Sequence, residues 1–186
     1  MDSNRFNSLL KYESRYKVLS LGIKCVCISH QQKDKDAAKE DVDYLLNADI
    51  DVYFDSYDGD LRINHQSNNA KPVTDSIRKG INNSSHMLVL VSPNTLYSTW
   101  VPFEIGYGYD KTDLYVLTLK GIPKGGLSEY VRSATIVRDI YDLNNLISRI
   151  SKVEKEILLE TKKMSDHGSY TNPLSGVMDA FINDSY

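Results

Sequence analysis

Residues Met87 to Asp110, MLVLVSPNTLYSTWVPFEIGYGYD, decide the fold. Met87–Val91 is a short apolar run rich in branched residues and closed by Ser92, Pro93 and Asn94. Such a run reads as a strand buried on both faces of a parallel sheet. A polar loop follows, and Pro102 fixes where the next helix begins, because a residue without a backbone N–H is tolerated only in the first turn. The N-cap is therefore Thr99, with Ser98 as the neighbouring alternative; both side chains cap well. Trp100 and Glu104 then stand four apart on one face of the first two turns. A carboxylate near a helix N-terminus is stabilised as the ion by about 0.3–1 kcal/mol. The strand-to-helix order places the pair at the C-terminal edge of the sheet, where open α/β sheets hold their ligands. On spacing alone an ordinary reading competes: a core-anchoring tryptophan and a solvated helix glutamate.

The composition narrows the classes. A chain of 186 residues suffices for one domain with decorated ends. Its 41% hydrophobic and 25% charged residues fit a soluble globular protein. A net charge of −3 offers nucleic acid no broad attraction, and the basic clusters are pairs, Arg78-Lys79 and Lys162-Lys163, rather than stripes. No apolar run approaches the roughly 18 residues of a membrane span, and the opening MDSNRFNS lacks the charged and apolar regions of a secretory leader. A cytoplasmic location is expected. Cys25 and Cys27, two apart on a strand, point to one face and read as buried thiols of a reducing compartment. No second Cys pair or His-x3-His accompanies them, so no metal site is expected.

Outward from the central stretch, strands and helices alternate. Residues 4 to 20 carry Phe6, Leu9, Leu10, Tyr16 and Leu19 at helical spacing. Ile23–Ser29 is a first strand, followed by the polar loop HQQKDKD. A helix is expected over Asp36–Asn47 and a second strand over Asp51–Asp55, where Val52 and Phe54 alternate with Tyr53. Ser56–Val73 is long, polar and aperiodic, the signature of a functional or mobile loop. Thr74–Asn83 is a short helix capped by Thr74, with Ile77 and Ile81 on one face. Beyond the central stretch come a fourth strand, Leu114–Leu119, and a fifth, Ser133–Val137. Tyr141–Lys163 is one long helical pattern, with Leu143, Leu146, Ile147, Ile150, Val153, Ile157 and Leu158 at 3.6 spacing. Asn172 and Pro173 open a last short helix. Right-handed crossovers then give a flavodoxin-like three-layer α/β sandwich around a parallel sheet of about five strands, with an N-terminal helix and a C-terminal helical extension.

Several chemistries are excluded. No G-x-G-x-x-G follows a strand, and no G-x4-G-K-[ST] is present, so the dinucleotide fingerprint and the P-loop are both absent. Gly121–Gly126 reads as a turn. Ser29-His30 has no nearby acid and no nucleophile elbow, which argues against a serine triad. His65, His86 and His167 are isolated and read as surface or capping residues.

Three segments taken together resemble the Toll/interleukin-1 receptor (TIR) domain family over about residues 23–150: VCISHQQKDKDA, then DVYFD with DSIRKGINNSSHMLVLVSPN, then STWVPFEIG. Family members end the first strand in Ile-Ser-His or a variant, matched here by Ser29-His30. They end the second strand in an aspartate opening the BB loop, matched by Asp55, and carry a Trp-x-x-x-Glu pair on the third helix, matched by Trp100 and Glu104. The chain departs from the family between Asp55 and Asp75, which is longer than in many members. Asp60 either matches the acidic position of that loop or is displaced from it. The resemblance implies a TIR-like domain over residues 23–163, flanked by a helical extension at 1–22 and a C-terminal extension at 164–186.

The family contains adaptors that only assemble and enzymes that cleave the nicotinamide–ribose bond of NAD with the glutamate matched by Glu104. One carboxylate suffices for this reaction. A glycosidase acting on an oxygen leaving group needs a second carboxyl as acid, but nicotinamide departs neutral from a cationic ring nitrogen. What remains is stabilisation of an oxocarbenium-like ribose, electrostatically or as a transient ester. Trp100 would face a base or the pyridinium ring. The implied substrate-binding set is Ser29, His30, Gln31, Gln32, Asp55, Asp60 and Trp100, with NAD as substrate and no cofactor. The first expectation is an NAD glycohydrolase or ADP-ribosyl cyclase that self-associates, resembling bacterial stand-alone TIR enzymes of antiphage defence. The alternatives are a non-catalytic TIR interaction module and a nucleoside deoxyribosyltransferase, which also uses a glutamate nucleophile.

Overall fold

The structure is a computed structural model and describes residues 24–54, 70–123, 125–165 and 173–178. Five strands form one parallel sheet: β1 (Cys25–Ser29), β2 (Asp51–Phe54), β3 (His86–Val91), β4 (Asp113–Thr118) and β5 (Thr135–Val137). Their order is β2-β1-β3-β4-β5. β3, the central strand, pairs through Val26↔His86 to Ser29↔Val89 on one side and His86↔Asp113 to Val91↔Thr118 on the other. All six of its residues are buried, which is why Met87–Val91 reads as an unbroken apolar run.

Successive side chains along the strands serve two cores. Val26, Ile28, Leu88, Leu90 and Leu117 enter one, with α1 (Lys35–Asn47) and α5 (Ile140–Ser151) packed over them. Cys25, Cys27, Met87, Val89 and Val116 enter the other, beneath α2 (Ala70–Asn82), α3 (Val101–Gly108) and the short α4 (Glu129–Arg132). This is the three-layer flavodoxin-like α/β arrangement. Leu143, Leu146, Ile147 and Ile150 of α5 are all 2% exposed or less, each worth about 1.5–3 kcal/mol of burial. Asp139 caps α5 by accepting the Asp142 N–H at 2.9 Å, while the Asp142 carboxylate accepts from the Arg138 N–H at 3.1 Å.

Several boundaries differ from the sequence-based expectation. The long helix over Tyr141–Lys163 is two: α5 ends at Ser151, Lys152 turns left-handed with φ 59°, and α6 (Lys155–Glu160) follows. Ser148 and Ser151 cause the break. The Ser148 hydroxyl donates to the Val153 carbonyl at 2.7 Å, and the Ser151 hydroxyl accepts the Val153 N–H at 3.3 Å. Side-chain hydroxyls thus take over backbone groups that helical periodicity assigns to the helix. The helix expected from Thr74 begins at Ala70, with Pro72 in its first turn and Val73 buried, so the polar loop is shorter than Ser56–Val73. Residues 173–178 form turns rather than the expected short helix. The Lys120 N–H donates to the Val177 carbonyl at 2.9 Å, and the Lys120 ammonium donates to the Ser175 carbonyl. Leu174, Val177 and Met178 enter the same core as α1. The expected N-terminal helix, Asn172, and most of the loop after β2, with Asp55 and Asp60, lie outside the described residues.

Both cysteines are buried and free of disulfide. Burial pushes the Cys25 thiol up to about 12, beyond any ordinary reactivity. No helix among the described residues is long and apolar enough to cross a membrane.

Candidate active site

β1 leads to α1 on one face of the sheet and β3 leads to α3 on the other. Their loops separate above neighbouring strands, at the switch point where such sheets open a crevice. A cleft of about 230 Å³ lies there. His30, Gln31 and Gln32 from the loop after β1 form one wall, and Tyr97, Ser98, Thr99, Trp100 and Glu104 form the other. Cys27, Tyr53, Ile77 and Ile81 add sulfur, aromatic and aliphatic surface from β1, β2 and α2.

Local sequence sets the Glu104 wall. Thr95–Tyr97 makes a 3-10 turn, and the Ser98 hydroxyl accepts the Val101 N–H at 3.1 Å. The N-cap is therefore Trp100, not Thr99 or Ser98, and its own side chain makes no cap bond. The Ser98 hydroxyl, two residues earlier, takes the first helical N–H, and Thr99 is left exposed at the cleft. The Glu104 N–H donates to the Trp100 carbonyl at 2.9 Å, so the first turn of α3 locks the two residues one above the other. Both are half-buried. Trp100 also packs against the second core and meets Phe103 edge-on at 6.3 Å. Phe103 stacks on Tyr107 at 6.2 Å, and the Arg78 guanidinium sits 5.2 Å over the Tyr107 ring. The same guanidinium, hydrogen-bonding the phenol, draws Tyr107 below its ordinary pKa. This ladder braces Trp100 from outside the cleft.

The opposite wall is more specialised than its sequence suggests. His30 packs on Phe54 with ring centroids 4.9 Å apart. Gln31 turns its side-chain oxygen onto the Lys33 N–H at 2.5 Å and caps the 3-10 turn Gln32–Asp34. That oxygen is engaged, leaving the Gln31 amide nitrogen as its donor toward a ligand. Ser29, buried at the end of β1, does not line the cleft.

Of the site residues expected from sequence, Glu104, Trp100, His30, Gln31 and Gln32 meet around one cleft. Tyr53 and Tyr97 were not singled out. The alternation of β2 carries a signal for Tyr53, since it faces opposite to Val52 and Phe54. Tyr97 carries none beyond being an aromatic in a polar loop, and it is 84% exposed. Among the described residues, no group of three or more His, Cys, Asp or Glu could hold a metal ion.

The fold and this cleft define an open parallel α/β domain with a carboxylate and an aromatic plate at its switch point. A family model described as TIR domain matches residues 26–141. The chain belongs to the TIR domain family. That family includes NAD-cleaving enzymes and non-catalytic adaptors, and its domains commonly self-associate. No curated protein matches the chain.

Proposed function

We propose that this TIR domain cleaves the nicotinamide–ribose bond of NAD, with Glu104 as the catalytic carboxylate. One observation carries the reading: Glu104 and Trp100 share a cleft with His30, Gln31 and Gln32 at the C-terminal edge of the sheet. The cleft is smaller than the roughly 300–1,000 Å³ of whole-ligand sites. It suits the nicotinamide riboside end of the dinucleotide, with the remainder lying over the rim beside Tyr97. The C–N bond breaks with its electron pair going to nicotinamide. Glu104 stabilises the ribosyl cation, and Trp100 offers its face to the cationic pyridinium ring of the bound substrate, which leaves as neutral nicotinamide. The cation is then captured by water, which loses a proton and gives ADP-ribose, or by an internal nucleophile of the same molecule, which gives a cyclic isomer. A cyclic product would suit cytoplasmic signalling of the antiphage kind that bacterial TIR enzymes carry out.

The test is nicotinamide release from NAD by purified protein, with products identified by mass spectrometry. Wild type should release it and Glu104→Ala should not; equal release by both sinks the reading. Activity per protomer should rise with protein concentration if self-association completes the site.

A second reading, a TIR module that acts by assembly alone, is favoured by exposed aromatics on α3 and in the segments just before and after it. Phe103 is 37%, Tyr109 52% and Tyr97 84% exposed, a display that suits a protein partner. Self-association unchanged in Glu104→Ala, with no turnover of NAD by wild type, would select it.

A further inference from the structure

We propose that Asp34 is a positioning residue for this cleft, clamping the loop after β1 to the loop after β3 so that the two walls face each other. The role in turnover rests on the NAD-cleaving reading above; the role in shaping the cleft does not.

Asp34 does not line the cleft. It ends the 3-10 turn that begins one residue after Gln31, and it is 8% exposed. Its two carboxylate oxygens divide between two donors on the opposite loop. Oδ2 accepts from the Ser92 hydroxyl at 2.5 Å, and Oδ1 accepts from the Asn94 side-chain amide at 2.6 Å. Ser92 is itself 4% exposed. Hydrogen bonds to a buried carboxylate are short and about twice as strong as neutral ones.

The clamp continues into the catalytic helix. The Ser92 oxygen accepts the Asn94 N–H at 3.0 Å, and the Ser92 N–H donates to the Thr95 hydroxyl at 2.9 Å. Thr95 opens the turn that ends at Tyr97. Ser98 follows at once and holds the Val101 N–H, the first of the helix that carries Glu104. An unbroken run of hydrogen bonds and adjoining residues therefore leads from Asp34 to the start of α3. On its other side, Asp34 stands three residues from Gln31 and four from His30.

The chemistry requires a carboxylate. Ser92 and Asn94 both present donors, so the group between them must accept twice. An asparagine accepts at one oxygen only and turns its own N–H groups toward a donor. Asp34→Asn therefore keeps one acceptor and puts an N–H donor in place of the other, so the Ser92 hydroxyl must turn from donating to accepting at that link and the charge is lost, with little change of volume. Of the two charge-assisted links between the loops, only one then keeps its present sense, and it becomes a neutral hydrogen bond.

The chain has one tryptophan, so intrinsic tryptophan fluorescence reports on Trp100 alone. Asp34→Asn is compared with wild type and with Val42→Ala, a core truncation on α1, which lowers melting temperature without touching either loop. Each is measured by thermal melting, by acrylamide quenching of Trp100, and by KM and kcat for nicotinamide release. Asp34→Asn should raise the quenching constant and shift the emission. It should also lower kcat ten- to hundredfold, the scale of a small misplacement. Val42→Ala should lower the melting temperature and leave Trp100 and kcat as in wild type. Trp100 fluorescence unaltered in Asp34→Asn, with kcat retained, overturns the proposal. If wild type releases no nicotinamide, the NAD reading falls, and the fluorescence comparison alone decides Asp34. If Asp34→Asn does not fold, Asn94→Ala carries the same test, because it removes one donor from a half-buried position and leaves the Asp34–Ser92 bond.

Discussion

Tyr53 lies so close to Gly80 that a Cβ built on the glycine would stand 2.2 Å from the ring carbon Cε1. The ring is buried, and it lines the cleft beside Ile77 and Ile81 of the helix that carries Gly80. A glycine in that helix costs about 0.8–1.0 kcal/mol of helix propensity relative to alanine, and here it makes room for the ring. Gly80→Ala must move Tyr53 into or away from the cleft. The overpacking should cost about 1–3 kcal/mol, exceeding the propensity gained. Melting temperature should fall and nicotinamide release should change with it. A variant that melts higher than wild type would show that the ring moves freely.

Glu104→Gln should abolish turnover and leave stability within about 0.5 kcal/mol of wild type. The amide keeps the shape of the side chain but not the charge that stabilises a ribosyl cation. Glu104 is only half-buried, so little packing depends on it. Thermal melting and nicotinamide release on the same preparation separate the two effects. A large loss of melting temperature would make Glu104 a structural residue.

Trp100→Ala tests a residue with two duties. Its ring packs on the second core and on Phe103, and it also lines the cleft. A fully buried aromatic truncated to alanine costs about 3–5 kcal/mol, and stacking on a base contributes about 1–3 kcal/mol. Because Trp100 is only partly buried, the loss of stability should fall below the core range, and the loss of kcat/KM should exceed what unfolding explains. Activity that tracks the folded fraction alone would reduce Trp100 to a packing residue.

The strands were legible because a parallel sheet covered on both faces demands apolar runs, and β3 is nearly all apolar. The Trp100–Glu104 pair was legible because Pro102 restricts where a helix can start. The Asp34 clamp was not, because its two bonds join residues 58 and 60 positions apart, and no local pattern records such a contact. The break between α5 and α6 was hidden for a different reason. Leu158 is buried on the far side of it, so the apolar period continues while the backbone does not.

Asp41 supplies a prediction about pH. It lies on the inward face of α1 with Ala38, Val42 and Leu45, and it is 0% exposed. Among the described residues, neither carboxylate oxygen has a hydrogen-bond partner. Burial, with a smaller contribution from the Glu40 charge, raises its pKa well above the ordinary carboxylate range. Between that range and the raised value, the folded chain holds a proton that the unfolded chain has released. Stability therefore falls as pH rises through this window. His86 acts in the opposite direction. Burial lowers its pKa below the ordinary histidine value, so the unfolded chain takes up the proton first as pH falls, and the folded state gains stability as pH rises through that window. The two effects overlap in wild type, and a single stability curve would mix them. Asp41→Leu removes only the first, so the difference between variant and wild type at each pH isolates Asp41. That difference should be smallest in acid and grow toward neutral pH. At neutral pH the variant should be the more stable by about 1–3 kcal/mol, the cost of burying an unpartnered polar group. Urea unfolding at a series of pH values measures it. A difference that does not vary with pH would mean that the fold leaves the Asp41 pKa unshifted, and one that shrinks or reverses toward neutral pH would mean that its carboxylate is stabilised in the fold as the ion.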